Sequence, residues 1–337
     1  MASLTGMLLI AASLSSIGGV SRAQTMAALL TTNHLDCGTV QGSTDRGGQD
    51  MHGNLSMFGA EICRAVAVAV LGGADKLTIH VFPAEPEALD ALRAGTISVV
   101  VGISPSATTA AHLGVAFGPP VFFDTQRIMV SKRSGITTLA GLRDQLICAL
   151  DMTAPERTLR DEMTARSIPY ALMAHSEQGE MDAAAAVRKC VATTGMETQL
   201  AQSRANFSES NSDFVFLDDR LSLNPLVPAY RYGDQKFGLI VDWTINALLE
   251  AEALGITQAS IQEDLRREDM RSEQLLGHDF ATAQALGLPH DWAVKLIAAT
   301  GNYGEIFQRT IGVPYHLERG VNALWTKGGL MSPLAMQ

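Results

Sequence analysis

A nearly continuous β-branched run, TISVVVGI from Thr96 to Ile103, constrains the fold of this chain more than any other segment. It shows no polar alternation for a water-facing side, so it fits a parallel strand covered on both faces. Parallel strands need crossover connections, and the flanking sequence supplies them. LTIHVF (Leu77 to Phe82) reads as a strand, and PEALDALRAG (Pro86 to Gly95) has apolar residues at helical spacing and ends on a capping glycine. Upstream, Glu61 to Leu71 forms a good helix closed by Gly72-Gly73. This alternation predicts a right-handed α/β unit with a ligand crevice beyond the carboxyl ends of its strands.

The theme recurs. QRIMVSK (Gln126 to Lys132) reads as a crossing strand, TTLAGLRDQLICAL as a helix followed by strand Leu146 to Leu150, and TAPERTLRDEMTARSI as a helix with Pro155 and Glu156 in its first turn. Thr198 to Arg231 is polar and punctuated, with SESNSD, a short strand FVFL, and Pro225 and Pro228; it reads as a return to the first lobe. From Phe237 onward the pattern is helical, including SIQEDLRRED with Ser260 and Glu263 set as a capping box, and GVNALW near the end.

With 337 residues, 47% hydrophobic and 18% charged, the chain can bury one large core or two medium ones, and two lobes are expected. Met7 to Ile17 is an apolar run too short to span a bilayer, followed by small residues at Ser21-Arg22-Ala23, so 1–23 reads as a cleaved secretory signal. No cysteine stands at lipobox spacing, and no later stretch approaches the roughly 18 apolar residues of a membrane span, so no direct membrane insertion is expected. A formal net charge of −10 without a basic stripe excludes nucleic acid and anionic lipid as partners. The four cysteines, Cys37, Cys63, Cys148 and Cys190, form an even set in a secreted chain and allow three pairings. If each lobe staples itself, the pairs are Cys37 with Cys63 and Cys148 with Cys190. No CxxC and no HExxH occurs among these cysteines and the eight scattered histidines, so neither a metal site nor a cofactor is expected. His34 and His52 read as solvated loop residues.

CRAVAVAVLGGADK, DWTINALLEAEALGIT, GLPHDWAVKLIAATGNYGEIFQRTIG and ERGVNALWTKGGL together resemble the periplasmic binding proteins of general L-amino-acid ABC transporters, from about Leu35 to Leu330. The resemblance implies an α/β, two-lobe type II periplasmic binding protein fold with a two-stranded hinge and a helical C-terminal extension. It places the first part of lobe 1 at 24–127, lobe 2 at 128–228, and the completion of lobe 1 with the extension at 229–337. It also implies a small-molecule solute of the amino acid or amine class, and ABC transporter permease subunits as partners.

The positions that grip the amino acid in that family are altered. An aspartate holding the α-amino group in a GFDVDFCRA-like segment is replaced by Gly59 in MFGAEICRA, and a second, in a TTDQ-like segment, by Gly195 in TTGM. SPSATTAAH lacks the family's carboxylate-binding arginine, and STDRGGQDMHG lacks its aromatic clamp. LDMTAPE stands where the family has QTGTTTE, so Asp151 puts a negative charge at an anion site and Pro155 removes a donor. Charge-assisted bonds contribute roughly 1.5 to 3 kcal/mol each, so losing three removes about 5 to 9 kcal/mol. Micromolar affinity corresponds to only about 8 kcal/mol.

Three functions compete. A binding protein of changed specificity would line its cleft with Ser104, Thr108, Asp151, Thr153 and Glu156, around Gly59 and Gly195, and deliver a small polar or cationic solute to a permease. Thr153 as an N-cap and Glu156 as a first-turn charge also serve a helix start without any ligand. A relative without solute binding would act as an interaction or sensory subunit of the cell envelope. An enzyme would use Asp151 or Glu156 as acid or base, but neither has a visible partner to shift its pKa, and no nucleophile stands beside a base. Solute binding is the primary expectation.

Overall fold

The structure, a computed structural model, describes residues 25–41, 55–207, 213–277 and 280–336. The expected leader at 1–23, the loop STDRGGQDMHG with His52, and most of SESNSD lie outside the described residues. A short helix α1 (Thr25–Thr32) leads into β1 (Leu35–Val40), followed by α2 (Ser56–Leu71), β2 (Leu77–Phe82), α3 (Glu85–Ala94) and β3 (Val99–Ile103). β1 lies between β2 and β3, parallel to both.

The β-branched run is buried on both faces, for a reason visible in its alternation. Val99 and Val101 enter the core built on α2, while Val100 and Ile103 enter the core under α3. The strand starts at Val99 rather than at Thr96, because Thr96 is used in closing α3. Its N–H and its hydroxyl both donate to Ala91 O, at 3.1 and 2.9 Å. Gly72 and Gly95, at φ +71° and +83°, supply the left-handed caps that stop α2 and α3.

α4 (Ala107–Leu113) and β4 (Val115–Phe117) bring the chain to β5 (Phe122–Ser131). Then come β6 (Leu146–Leu150), α5 (Ala154–Ala165), β7 (Ala171–His175), α6 (Gln178–Ala186), β8 (Ala192–Met196), α7 (Glu197–Asn206), β9 (Phe214–Phe216) and β10 (Ser222–Arg231). The sheet order is β2-β1-β3-β10-β5-β8-β6-β7, with β4 beside β10 and β9 beside β5. β5 and β10 are the two strands shared by both lobes. Phe122 to Gln126 pairs with Leu226 to Ser222, then Gln126 to Val130 pairs with β8, while Val227 to Tyr230 turns to β3. This double duty makes β5 longer than QRIMVSK predicts. Pro228, which has no N–H to give, sits at the register shift where β10 changes partners.

Two local expectations fail in this half. The helix expected before β6 is a single 3-10 turn, Leu139–Leu142. Gly141 lies inside it, and Asp144 at φ +59° already turns the chain toward the strand, leaving too few residues for a helical nucleus. The polar return segment begins with α7, which the sequence reading missed; Leu200, Ala201 and Ser203 are buried on it despite their polar neighbours.

α8 (Gln235–Leu254), α9 (Ile261–Asp264), α10 (Met270–Leu276), α11 (Ala281–Leu286), α12 (Trp292–Thr300), α13 (Tyr303–Phe307) and α14 (Val313–Tyr315) complete the first lobe and form the C-terminal extension. Phe58 of α2 meets Phe122 and Tyr303 edge-on at 5.6 and 5.9 Å, and the Tyr303 hydroxyl donates to Val121 O at 2.8 Å. The extension thereby holds the root of β5. The capping box falls at Asn302 and Glu305, not at Ser260 and Glu263. Ser260 instead accepts from Thr257 N at 2.9 Å and donates to Asp264, in a turn too short to need a cap. GVNALW yields a 3-10 turn, Gly320–Asn322, and opens a second, Trp325–Lys327, in place of a helix. There Asn322 bonds both the N–H and the C=O of Phe123, at 2.7 and 2.9 Å.

Cys37 pairs with Cys63, joining β1 to α2, and Cys148 pairs with Cys190, joining β6 to the approach to β8. Each lobe carries its own bridge. Among the described residues no helix is long and apolar enough to cross a membrane.

Candidate functional site

In a doubly wound α/β lobe the ligand edge is the one where parallel strands end. Here those ends are Val40, Phe82 and Ile103 in the first lobe and Leu150 and His175 in the second, with Met196 leading into α7. After Ile103, the Ser104 N–H and hydroxyl both donate to Glu85 Oε1, at 3.0 and 2.8 Å. Ser106 then caps α4 by accepting from Thr109 N, and Thr108 is exposed on the first turn. Sequence reasoning missed Glu85. The signal was present, since Glu85 precedes Pro86 at a strand-to-helix turn on the ligand edge.

The turn from Asp151 to Glu156 is the most informative part of the second lobe. Thr153 is buried; its hydroxyl donates to Leu150 O at 2.8 Å and accepts from Glu156 N at 3.3 Å. Glu156 folds back on the same turn, accepting from Met152 N at 3.0 Å and pairing with Arg160 at 2.5 Å. Pro155 has no N–H. Three positions at this helix start are therefore unavailable to an incoming carboxylate, two because their donors are taken and one because it has none. Asp151 stands apart: its N–H bonds His175 O at 2.8 Å, its side chain is exposed, and no partner meets its carboxylate among the described residues. Met152, at φ +61°, makes the tight corner that presents it.

Gly59 and Gly195 are more than vacancies. A Cβ at position 59 would lie 2.9 Å from the Thr39 methyl group and 3.2 Å from its Cβ, so Thr39 fills the space where an aspartate side chain would start. A Cβ at 195 would lie 3.3 Å from the Leu200 side chain, on the face of β8 covered by α7. Thr39 has closed over position 59, whereas at 195 Leu200 crowds the site and would need to give by a few tenths of an ångström.

A buried polar belt along β5, which sequence reasoning also missed, links the crossing strand to α5 and α7. Asp124 accepts from Thr125 N at 3.0 Å and Thr198 N at 3.2 Å, and also binds the Thr198 hydroxyl. Gln126 donates to Pro155 O at 2.7 Å and to the Thr194 hydroxyl at 2.9 Å. Arg127 donates from Nε to Leu217 O at 3.0 Å and from Nη1 to Glu197 Oε1 at 2.7 Å, while Thr125 Oγ1 donates to Glu197 Oε2 at 2.7 Å. Burial pushes the Glu197 carboxyl above its ordinary value although Arg127 pulls it down, and burial lowers Arg127 although Glu197 raises it. Desolvation therefore outweighs attraction in this pair. Four successive polar residues, Asp124 to Arg127, entering a buried strand were the signal for it.

Cys148, His175 and Cys190 place their donor atoms within 4.8 Å of one another. The two sulfurs are bonded to each other, so the imidazole is the remaining ligand atom there.

No protein-family model matches the chain. It is 33% identical over 320 residues to the "Glutamate/glutamine/aspartate/asparagine-binding protein BztA" of Rhodobacter capsulatus, covering 94% of each chain. It is 33% identical over 316 residues to the "General L-amino acid-binding periplasmic protein AapJ" of Rhizobium johnstonii, covering 91% of each. Among solved structures, the "ABC transporter / periplasmic binding protein from Brucella ovis with glutathione bound" superposes with a TM-score of 0.75 at 31% identity, covering 94% of this chain and all of that one.

Proposed function

Because the chain belongs to the family of amino-acid-binding periplasmic proteins of ABC transporters, we propose that it captures a small polar solute carrying a cationic group and delivers it to a membrane permease. Glutamate, glutamine, aspartate, asparagine, general L-amino acids and glutathione are what the relatives are named for or hold. Among the described residues, the start of α5 offers no free donors to an α-carboxylate at Met152, Pro155 or Glu156. The observation that carries the solute class is the start of α5, where Glu156 and Thr153 use the nearby donors and leave the Asp151 carboxylate unpartnered at the strand end. A cation there gains a charge-assisted bond that a carboxylate would forfeit.

In this reading Ser104 and Thr108 contribute from the first lobe, and Thr153 and Glu156 shape the turn that holds Asp151. Gly59 and Gly195 mark where the solute is no longer held by aspartates. The leader 1–23 directs export and is removed, residues 24–127 and 229–337 form the first lobe with its extension, and 128–228 form the second. A solute bridging both lobes would shift them toward closure, the state a permease can distinguish.

The test is a thermal-shift screen of the chain from Gln24 onward against common amino acids, polyamines, short peptides and glutathione at millimolar concentration. A ligand that binds only the native state raises the melting temperature by mass action. A shift with amines or cationic amino acids that Asp151→Asn removes supports the proposal. A shift confined to acidic amino acids, or no shift with an intact cooperative melt, overturns it.

A further inference from the structure

A cavity of about 520 Å³ opens on the first lobe between α8, the β4–β5 loop and the C-terminal tail, away from the strand ends that border the crevice. Its walls include Phe117, Phe123, Trp243, Leu249 and Leu334, and its one ionisable lining residue is Asp242. The tail is fastened as a wall: Asn246 donates to Leu334 O at 2.9 Å and accepts from Leu334 N at 2.5 Å. Leu334 itself is 65% exposed, so the opening reaches solvent.

Asp242 is what makes this more than an apolar groove. Its only hydrogen bonds are with the Tyr230 hydroxyl, at 3.1 and 3.3 Å to its two oxygens, and no basic group pairs with it among the described residues. One hydroxyl proton cannot satisfy a carboxylate with about four acceptor positions. Gly118 adjoins it. Any side chain at 118 would collide with Asp242 Oδ1 and come within 2.7 Å of Pro228, so the glycine leaves room for the carboxylate at the cavity wall. Burial pushes the Asp242 carboxyl up to about 6, which leaves it mostly ionised at neutral pH.

We propose that this cavity is a second binding site, for a small amine with an apolar body, whose ammonium group pairs with Asp242 while its hydrocarbon packs against Phe117, Phe123 and Trp243. An anion is repelled by the carboxylate, and a neutral apolar molecule leaves it uncompensated. A cation offsets the charge, and the aromatic walls favour it further through their ring faces.

The probe is 2-phenylethylamine, compared with 2-phenylethanol and 3-phenylpropionate, titrated into the full mature chain by calorimetry and Trp243 fluorescence. The amine is expected to bind at least about tenfold more tightly than the alcohol, and Asp242→Asn is expected to erase that advantage. Trp243 lines this cavity, so its fluorescence reads occupancy here separately from any amine held in the crevice. Methyl resonances of Leu239, Leu249 and Leu334 should shift in the unmodified protein, a readout that does not depend on any variant folding. Equal binding of amine and alcohol overturns the proposal. So does an amine response of Trp243 that Asp242→Asn leaves unchanged, or no binding at about 10 mM amine.

Discussion

Replacing Arg127 with methionine tests the polar belt most directly. The guanidinium carries bonds to Leu217 O and Glu197, and it lies over the Phe216 ring at 5.5 Å, so it joins β5, α7 and the end of β9. Methionine keeps much of the volume and removes the charge. Breaking a buried pair from one side costs about 3 to 5 kcal/mol, because the remaining charge is left without compensation. An orphaned Leu217 carbonyl adds about 1 to 3 kcal/mol. Arg127→Met should therefore cost about 4 to 8 kcal/mol, and adding Glu197→Gln should recover about 2 of that by neutralising the stranded carboxylate. The assay is urea unfolding followed by far-UV circular dichroism and by tryptophan fluorescence together. All three tryptophans, Trp243, Trp292 and Trp325, lie C-terminal to β10, so fluorescence reports the first lobe and its extension while dichroism reports both. The variant should lose a first dichroism transition at lower urea than its fluorescence transition. A single mutant within about 1 kcal/mol of the parent, or a double mutant no better than the single, would refute the account of Arg127 as the partner that makes the buried Glu197 tolerable.

Gly59→Asp should cost about 1 to 3 kcal/mol through overpacking against Thr39, and Thr39→Ala should relieve part of it in urea melts; neither variant, nor the pair with Gly195→Asp, should bind ordinary α-amino acids, because SPSATTAAH carries no arginine for the carboxylate. Reduction of the bridges should lower stability by roughly 3.5 to 4 kcal/mol each, given closed loops of 26 and 42 residues, read as a drop in urea midpoint with reductant. Asp242 gives a pH effect of defined sign. Its folded value of about 6 lies above its ordinary 3.8, so the folded state holds the proton more tightly, and stability rises as pH falls from about 6 toward 4. The full shift corresponds to roughly 3 kcal/mol, discounted to about 1 to 2 for a side chain partly screened by solvent. Asp242→Asn should therefore be more stable than the parent at pH 7.5 and about equal to it at pH 4.

What the sequence revealed and what it withheld divide along a physical line. Periodicity and punctuation placed β2, β6 and the start of α5 to the residue, because an apolar alternation or a Thr-x-Pro-Glu start is a local signal. The parallel first lobe followed from Thr96 to Ile103 for the same reason, although the strand's first residues were lost to the closure of α3. Non-local features were not visible. α7 was hidden because its burial comes from packing under β8 and not from its own composition, and the true capping box at Asn302 was passed over for Ser260, whose spacing was equally suitable. A spacing rule states which bond is available, and only the surrounding turn decides whether it forms.

The same division governs the site. The replacements at Gly59 and Gly195 could be read as missing charges, but the sequence does not show that Thr39 has taken the space at 59 and that Leu200 crowds it at 195. That difference changes the chemistry. An empty position can be refilled by a single substitution or by a larger ligand, whereas a closed one removes the anchoring point and forces recognition elsewhere along the strand ends. At the start of α5 the change is electrostatic: Thr153 and Glu156 take the Glu156 and Met152 N–H donors, and Asp151 adds the opposite charge. With the Met152 and Glu156 N–H groups internally satisfied, the proposed solute class rests on Asp151: a cationic group placed there would gain a charge-assisted bond that a carboxylate would not.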